Sequence, residues 1–428
     1  MVLLPFFFLI VLLCAAPAMA FFDGPIAQAA MAATTALAVA LVGIRAAPGE
    51  ATHLQRVLRL WAVVAGVPAL WMILQALPLP GFLSSAAHPI WSSAVGALEN
   101  SVAGSISIDP GMTIVVLGRY LTALGIILAT TAATLDRGLA RSTLFVLTAV
   151  TTLAAVLVLA TDLRALAPTG ATVTVLKASA ALGVVISLAA AASGLERHHT
   201  QHYRAMPGGA HRTISIGLCV ASCALCGFAL HSTPALVMLA ASCGAGLVVL
   251  ITASRRLNAA AWAAEAIFVA SAVAMVFVVS SGTQRGGDIA LRFAVSESTE
   301  TSERMLADTS AAGSGAGTFA AVLPVYGTVK DIADRAQPPT FAALTVIELG
   351  RAMWVLIVLT ALMLVVTMLH RAMLRGRDWQ YSAAAAGTVL LITIESFADA
   401  TLTNSGVITI SAVTIGIGLA QSLSRATQ

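Results

Sequence analysis

Residues 341–369 read FAALTVIELGRAMWVLIVLTALMLVVTML, and from Met353 to Leu369 they contain neither a charge nor a proline. At about 1.5 Å of rise per residue, a helix over the whole stretch is longer than the roughly 30 Å hydrocarbon layer of a bilayer. Inside such a layer backbone amides have no water to bond, and a helix satisfies them within the segment. The stretch therefore predicts a membrane helix, with Glu348 and Arg351 three residues apart on one face.

Outward from it, apolar runs bounded by charge, Pro or Gly recur at 2–21, 25–44, 57–77, 111–134, 142–161, 171–193, 213–230, 233–253, 259–281, 380–398 and 405–423. The composition agrees: 59% of the 428 residues are hydrophobic and 10% charged, against about 25% charged in a soluble domain, and the mean hydropathy is +0.93. The net charge of +4 is too small to argue for a nucleic-acid partner. The expected fold is an all-α polytopic membrane protein of about 12 transmembrane helices. Residues 1–281 hold helices one to nine, 282–339 form a long loop between helices nine and ten, and 340–428 hold helices ten to twelve.

Arginine placement sets the expected orientation, because basic residues gather in short cytoplasmic loops. With the N-terminus inside, every second loop is cytoplasmic. Those loops carry Arg45, Arg56 and Arg59; Arg137 and Arg141; Arg197, Arg204 and Arg212; Arg255 and Arg256; Arg371, Arg375 and Arg377; and Arg425, which is 14 of the 23 basic residues. The short loops of the other side carry Arg164 alone. Both termini are therefore expected in the cytoplasm and the long loop outside. Residues 1–20 resemble a signal peptide, but no Lys or Arg lies between Met1 and Phe22, and a positive n-region is part of that signal. They are read as a retained first span.

Charge inside spans is expensive and tends to be functional. Arg119, Lys177, Glu265, Glu348, Arg351, Glu395 and Asp399 meet that description, and all but Glu265 fall toward the outer half. Asp109-Pro110-Gly111 reads as an N-cap with Pro in the first turn, opening the fourth span. The long loop adds Arg285, Arg292, Arg304, Lys330 and Arg335, and Arg suits bidentate recognition of phosphate or diphosphate. Gly313-Ser-Gly315-Ala-Gly317-Thr318-Phe319 lacks the GK[ST] ending of a nucleotide-binding loop. It reads better as a tight turn where backbone approaches a ligand or a membrane helix.

Other constellations carry less. Cys223-Ala-Leu-Cys226 lies mid-span with no second ligand pair, so the five cysteines read as small buried hydrophobes. His198, His199 and His202 have Glu196 as their single nearby carboxylate and read as an interfacial loop. No metal or cofactor is expected.

In order along the chain, Ser302-Glu-Arg304-Met-Leu-Ala-Asp308, the Gly-rich turn, Leu323-Pro324-Val-Tyr326 and Ile347-Glu348-Leu-Gly350 resemble the O-antigen ligase and polysaccharide polymerase family. Leu77-Pro78-Leu79-Pro80 with Ser105-Ile-Ser107-Ile-Asp109-Pro110 is similar to that family's first outside loop. Glu395-Ser-Phe-Ala-Asp399-Ala-Thr-Leu402 is similar to its motif near the end of the penultimate helix. The resemblance implies a glycan transferase at the periplasmic face of a bacterial inner membrane. Its donor would be a polyprenyl-diphosphate-linked glycan, and its acceptor lipid A core or a growing polysaccharide, both met among membrane lipid.

Such displacement at an anomeric carbon needs cations for the leaving diphosphate and a base for the acceptor hydroxyl. By resemblance Arg304 faces the diphosphate; charge and position add Arg292 and Arg119. The family's His before Glu-x-Gly is replaced by Gln337-Pro-Pro-Thr340, and the loop His231-Ser-Thr-Pro234 lacks the family's Arg. The base role then falls to His231, Glu348 or Asp399. Two alternatives remain: a catalytically silent relative that binds lipid-linked glycan or a synthesis complex, and a secondary transporter. A transporter is expected to place paired charges near the bilayer midplane and to show broken helices in both halves.

Overall fold

A computed structural model describes residues 3–45, 48–80, 87–98, 103–164, 169–202, 209–256, 299–326, 340–375 and 378–423. Among these residues the chain is helical, without a strand. The helices, in order, are α1 (Leu3–Ala15), α2 (Pro25–Arg45), α3 (Pro48–Ala76), α4 (Ile90–Leu98), α5 (Pro110–Ala133), α6 (Arg137–Asp162), α7 (Gly170–His202), α8 (Gly209–Ala229) and α9 (Ala235–Arg256). Then come α10 (Thr299–Asp308), α11 (Phe319–Tyr326), α12 (Phe341–Leu349), α13 (Arg351–Leu374), α14 (Trp379–Glu395) and α15 (Ser405–Leu423). Among the described residues seven helices are long and apolar enough to cross a membrane, from α2, α5, α6, α7, α9, α13 and α15. The expected ninth span, 259–281, lies outside the described residues.

The centre of the bundle is α7, α14 and α15, with α9, α13, α5 and α6 around them. In lipid the packing of helices depends on close approach and on polar side chains that bond across the contact. Both devices are present. Gly244 of α9 faces Gly387 of α14, and a Cβ on either would stand 2.7 Å from the other's carbonyl oxygen. The Thr131 hydroxyl bonds the Ile127 carbonyl of its own helix at 2.7 Å and the Gly416 carbonyl of α15 at 3.2 Å. At the same end Gln421 donates to the Thr134 carbonyl at 2.6 Å.

Two of the expected spans have different limits. Residues 341–369 are not one helix. Gly350 takes φ 89°, ψ 158°, which no continuing helix permits, and it both ends α12 and precedes the first residue of α13. Glu348 and Arg351 therefore do not share a helical face. Glu348 closes α12, and the Arg351 guanidinium turns back to donate to the Leu306 carbonyl at 3.0 Å. The membrane-crossing helix of this stretch is α13. At the N-terminus the described part of the expected first span is the 13-residue α1 followed by a 3-10 turn at Ala18–Ala20, and Leu9, Leu12 and Leu13 seat it in the core. Asp109 caps α5 as its sequence suggests, accepting from the Met112 amide at 3.0 Å with Pro110 in the first turn.

Glycine positions separate two kinds of constraint. Gly315 has φ 108°, and a Cβ there would lie 2.2 Å from the Ser107 Oγ, whereas a Cβ on Gly246 of α9 meets nothing within 4 Å. Gly315→Ala is expected to destabilise the detergent-solubilised protein by roughly 2 kcal/mol or more, combining a left-handed backbone with a clash. Gly246→Ala is expected to be neutral or to stabilise by about 0.5–1 kcal/mol. Thermal unfolding followed by size-exclusion chromatography separates the two.

Candidate functional site

One end of the bundle is organised around the turn Gly313–Phe319. Gly313, Gly315 and Gly317 all have positive φ, which lets the chain double back so closely that its amides point into the protein. The Ser314 amide donates to the Ile347 carbonyl at 2.9 Å and the Gly315 amide to the Glu348 carbonyl at 3.0 Å. The Phe319 amide, opening α11, donates to the Glu348 carboxyl at 3.2 Å, and the Gly317 amide bonds the same carboxyl. Donors that a phosphate-binding loop would offer to a ligand are thus taken by α12. The reading of the turn as backbone approaching a membrane helix also fits: a Cβ on Gly317 would lie 2.9 Å from Val116 of α5.

The segment before α5 closes the other side. The Ile108 amide donates to the Ser314 carbonyl at 2.9 Å, and the Thr113 hydroxyl to the Ala316 carbonyl at 2.9 Å. Ser107 and Thr113 share a hydroxyl–hydroxyl bond of 2.8 Å. From α3, Gln75 donates to the carbonyls of Ala312 at 2.8 Å and Glu348 at 3.0 Å, and Trp71 donates to the Leu349 carbonyl at 3.0 Å. Trp71 and Gln75 escaped a sequence reading that weighed only formal charges within spans. The signal available was one neutral amide at the end of an apolar run, Ile73-Leu74-Gln75-Ala76.

Glu348 is the charge at the centre of this arrangement, and it is 7% exposed. Burial raises its carboxyl to about 7, against the two amide hydrogen bonds and the nearby Arg119 guanidinium, which pull it down. Arg119, on α5, is partly buried, and its Nε meets no hydrogen-bond partner. The structure therefore brings Arg119 and Glu348 together, although they are 229 positions apart (348 − 119).

Asp399 sits at the opposite end of α12. Its carbonyl accepts from the Phe341 amide at 2.8 Å, and the Ser396 carbonyl accepts from the Ala342 amide at 2.8 Å. A nine-residue helix separates its two ends by roughly 12 Å. Burial pushes the Asp399 carboxyl above the usual range, opposed by hydrogen bonds from the Thr401 hydroxyl and amide, the latter at 2.9 Å. The neighbouring Glu395 is fully buried, with neither carboxyl oxygen hydrogen-bonded.

Arg304 projects from the exposed face of α10. The buried face of that helix, Met305 and Leu306, joins Phe319, Leu323, Val346, Ile347 and Trp354 in a small core that roots α10 beside α11 and α12. The Asp308 side chain is hydrogen-bonded to Tyr326, tying α10 to α11. His231 is elsewhere: its exposed ring stacks on Phe228 between α8 and α9, and its Nδ1 lies 3.0 Å from the Phe228 carbonyl. Lys177 is its neighbour there, donating to the Ser232 hydroxyl at 2.8 Å. Arg292 lies outside the described residues. No group of three or more His, Cys, Asp or Glu able to hold a metal occurs among the described residues.

What the fold and this site define is an α-helical membrane protein, one end of which is a polar, arginine-bearing assembly around the short helix α12. No family model, no curated protein and no solved structure matches the chain.

A carboxyl raised in the folded state binds its proton more tightly than in the unfolded chain, where its ordinary value is 4.5. Its contribution is full below that ordinary value and is lost as pH rises through about 7. The thermal midpoint of the purified protein is therefore expected to fall between those pH values, and Glu348→Gln is expected to flatten that part of the profile.

Proposed function

We propose that this chain is an O-antigen ligase-like or polysaccharide polymerase-like glycan transferase. In this reading it spans a bacterial inner membrane about twelve times, with both termini cytoplasmic and the Gly-rich turn at the periplasmic face. Its donor is a polyprenyl-diphosphate-linked glycan, and its acceptor lipid A core or a growing polysaccharide. The observation that supports it best is the gathering of Arg119, the Gly-rich turn and the two carboxylates at either end of α12, at one end of a bundle of membrane helices. A guanidinium with a donor to spare beside a membrane helix suits a lipid-linked diphosphate, which lies at that depth.

In this reaction the acceptor hydroxyl oxygen bonds to the anomeric carbon as the bond from that carbon to the diphosphate oxygen breaks. The hydroxyl proton passes to a carboxylate, and the diphosphate leaves with the electron pair toward Arg119, and toward Arg304 and Arg292 on the long loop. Asp399 is assigned the base role ahead of Glu348: both carboxyls accept two hydrogen bonds, but those on Asp399 come from its near neighbour Thr401, whereas those on Glu348 come from the amides of Gly317 and Phe319 that hold the turn. His231, exposed between α8 and α9, is given no step in this reading.

That same occupation of Glu348 favours a second reading, in which the chain binds lipid-linked glycan without transferring it. Deleting the gene and resolving surface polysaccharide on a gel tests both. Loss of long glycan chains is expected, with Arg119→Gln failing to restore them. Asp399→Asn is expected to restore less than about 1% of the transfer rate, the loss typical of removing a general base. Full rescue by Asp399→Asn with none by Arg119→Gln selects the binding reading. Unchanged O-antigen and exopolysaccharide after deletion sinks both.

A further inference from the structure

The helix α11, Phe319-Ala-Ala-Val-Leu-Pro-Val-Tyr326, belongs to the expected long loop, yet it carries no charge, and Tyr326 is its single polar side chain. Phe319 and Leu323 are buried in the small core shared with α10 and α12. Ala320, Ala321, Pro324 and Val325 are exposed, Val325 to 78%. Residues four apart are neighbours on a helix surface, so these four make up one face. Apolar side chains exposed singly are ordinary on a water-facing surface. A whole apolar face on an uncharged helix instead marks contact with something apolar.

Two membrane helices fix the level of that face. On one side the turn leading into α11 lies on the start of α5: a Cβ on Gly317 would stand 2.9 Å from Val116 and 3.1 Å from the Met112 carbonyl oxygen. On the other, the small core takes in Trp354 of α13, with Ile357 and Val358 packed against it. By helical rise these contacts lie within roughly 10 Å of the ends of both helices, where hydrocarbon meets headgroups. Both helices turn apolar side chains outward at that depth: Met112, Ile114 and Val115 on α5, and Val355, Leu356 and Leu359 on α13, are exposed. On membrane-crossing helices such side chains face lipid. The exposed face of α11 thus continues a surface that is already lipid-facing. At its far end Tyr326 is hydrogen-bonded to Asp308, an apolar ring with a polar tip of the kind that gathers at a membrane boundary.

We propose that α11 seats Ala320, Ala321, Pro324 and Val325 among the lipid acyl chains beside α5 and α13, as an interfacial anchor for the Gly-rich turn. Interfacial helices bury their apolar face about 5–10 Å into the boundary, the depth at which α5 and α13 hold this one. The Phe319 amide that opens α11 donates to the Glu348 carboxyl. Lipid therefore steadies, from outside the protein, the helix whose first amide holds Glu348. The proposal needs only the membrane and stands whether or not the chain transfers glycan.

Photo-crosslinking of the full-length protein in proteoliposomes of phosphatidylethanolamine and phosphatidylglycerol tests it. The probe is p-benzoylphenylalanine in place of Val325 or, as a control, in place of Ala307, which is exposed on α10 beside Arg304. Mass spectrometry is expected to find lipid adducts several-fold more abundant at position 325 than at 307. Equal yields at the two positions overturn the proposal, and so does a 325 adduct to another segment of this chain, which would then be what covers the face. Thermal unfolding in lipid nanodiscs gives a reading without the probe. Val325→Asp is expected to lower the midpoint, and Val325→Leu to leave it or raise it. A water-facing position tolerates both changes, so equal midpoints for the two variants also overturn it.

Discussion

Gln75 is fully buried and donates from one amide nitrogen to two carbonyls, Ala312 and Glu348, that belong to segments far apart in the sequence. Around that contact the backbone of 312–319 exchanges hydrogen bonds with 347–348 on one side and with 108–113 on the other. Irregular backbone beside a membrane is tolerated only where the protein itself satisfies its amides and carbonyls. Everything at this end of the bundle depends on that satisfaction: the reversal at Gly350, the seat of α12, and the position of Glu348. Each bond is worth only about 0.5–1.5 kcal/mol net, but leaving any one donor buried and unpaired costs about 1–3 kcal/mol, so the contacts hold as a set.

The lock also divides the carboxylates by role. Glu348 is spent on structure, as the acceptor at the opening of α11, and its burial makes it neutral or charged according to the pH around it. Asp399 is held through its backbone carbonyl by Phe341, which leaves the carboxyl bonded only to Thr401. A short helix with one carboxylate at each end can thus be fixed at one and chemically available at the other. The cation at the fixed end, Arg119, comes from α5, whose first turn is gripped by the same turn that Glu348 caps. Position of the cation and position of the carboxylate are therefore set by one piece of backbone.

The two ends of the bundle use charge differently. At the end that holds the Gly313–Phe319 turn, Glu348 is buried and accepts main-chain amides, while Arg304 stands exposed on α10. At the opposite end the carbonyls at the close of α13 take up the guanidinium of Arg255, and Arg137 pairs with Asp378. Buried groups such as Glu348 gain from a low dielectric and are sensitive to a ligand's charge.

Much of this was legible in the chain itself. Hydropathy and the absence of charge determine that 353–369, 142–161 and 405–423 are helices in a bilayer-like environment, because backbone satisfaction leaves apolar runs no other regular form. Asp109-Pro110 determines where α5 begins, and the formal charges at Arg119, Glu348 and Asp399 mark one end of the bundle as unusual. Sequence did not reveal that 341–369 is broken, since Gly350 in an apolar run is equally compatible with an unbroken helix. Only its contact with Ala311, where a Cβ would stand 2.2 Å from the carbonyl oxygen, shows why the reversal is required. Nor did it reveal Gln75, whose importance lies entirely in which carbonyls it meets. Local physics fixed the helices; which groups become neighbours was decided by packing between segments hundreds of residues apart, and no periodicity encodes that.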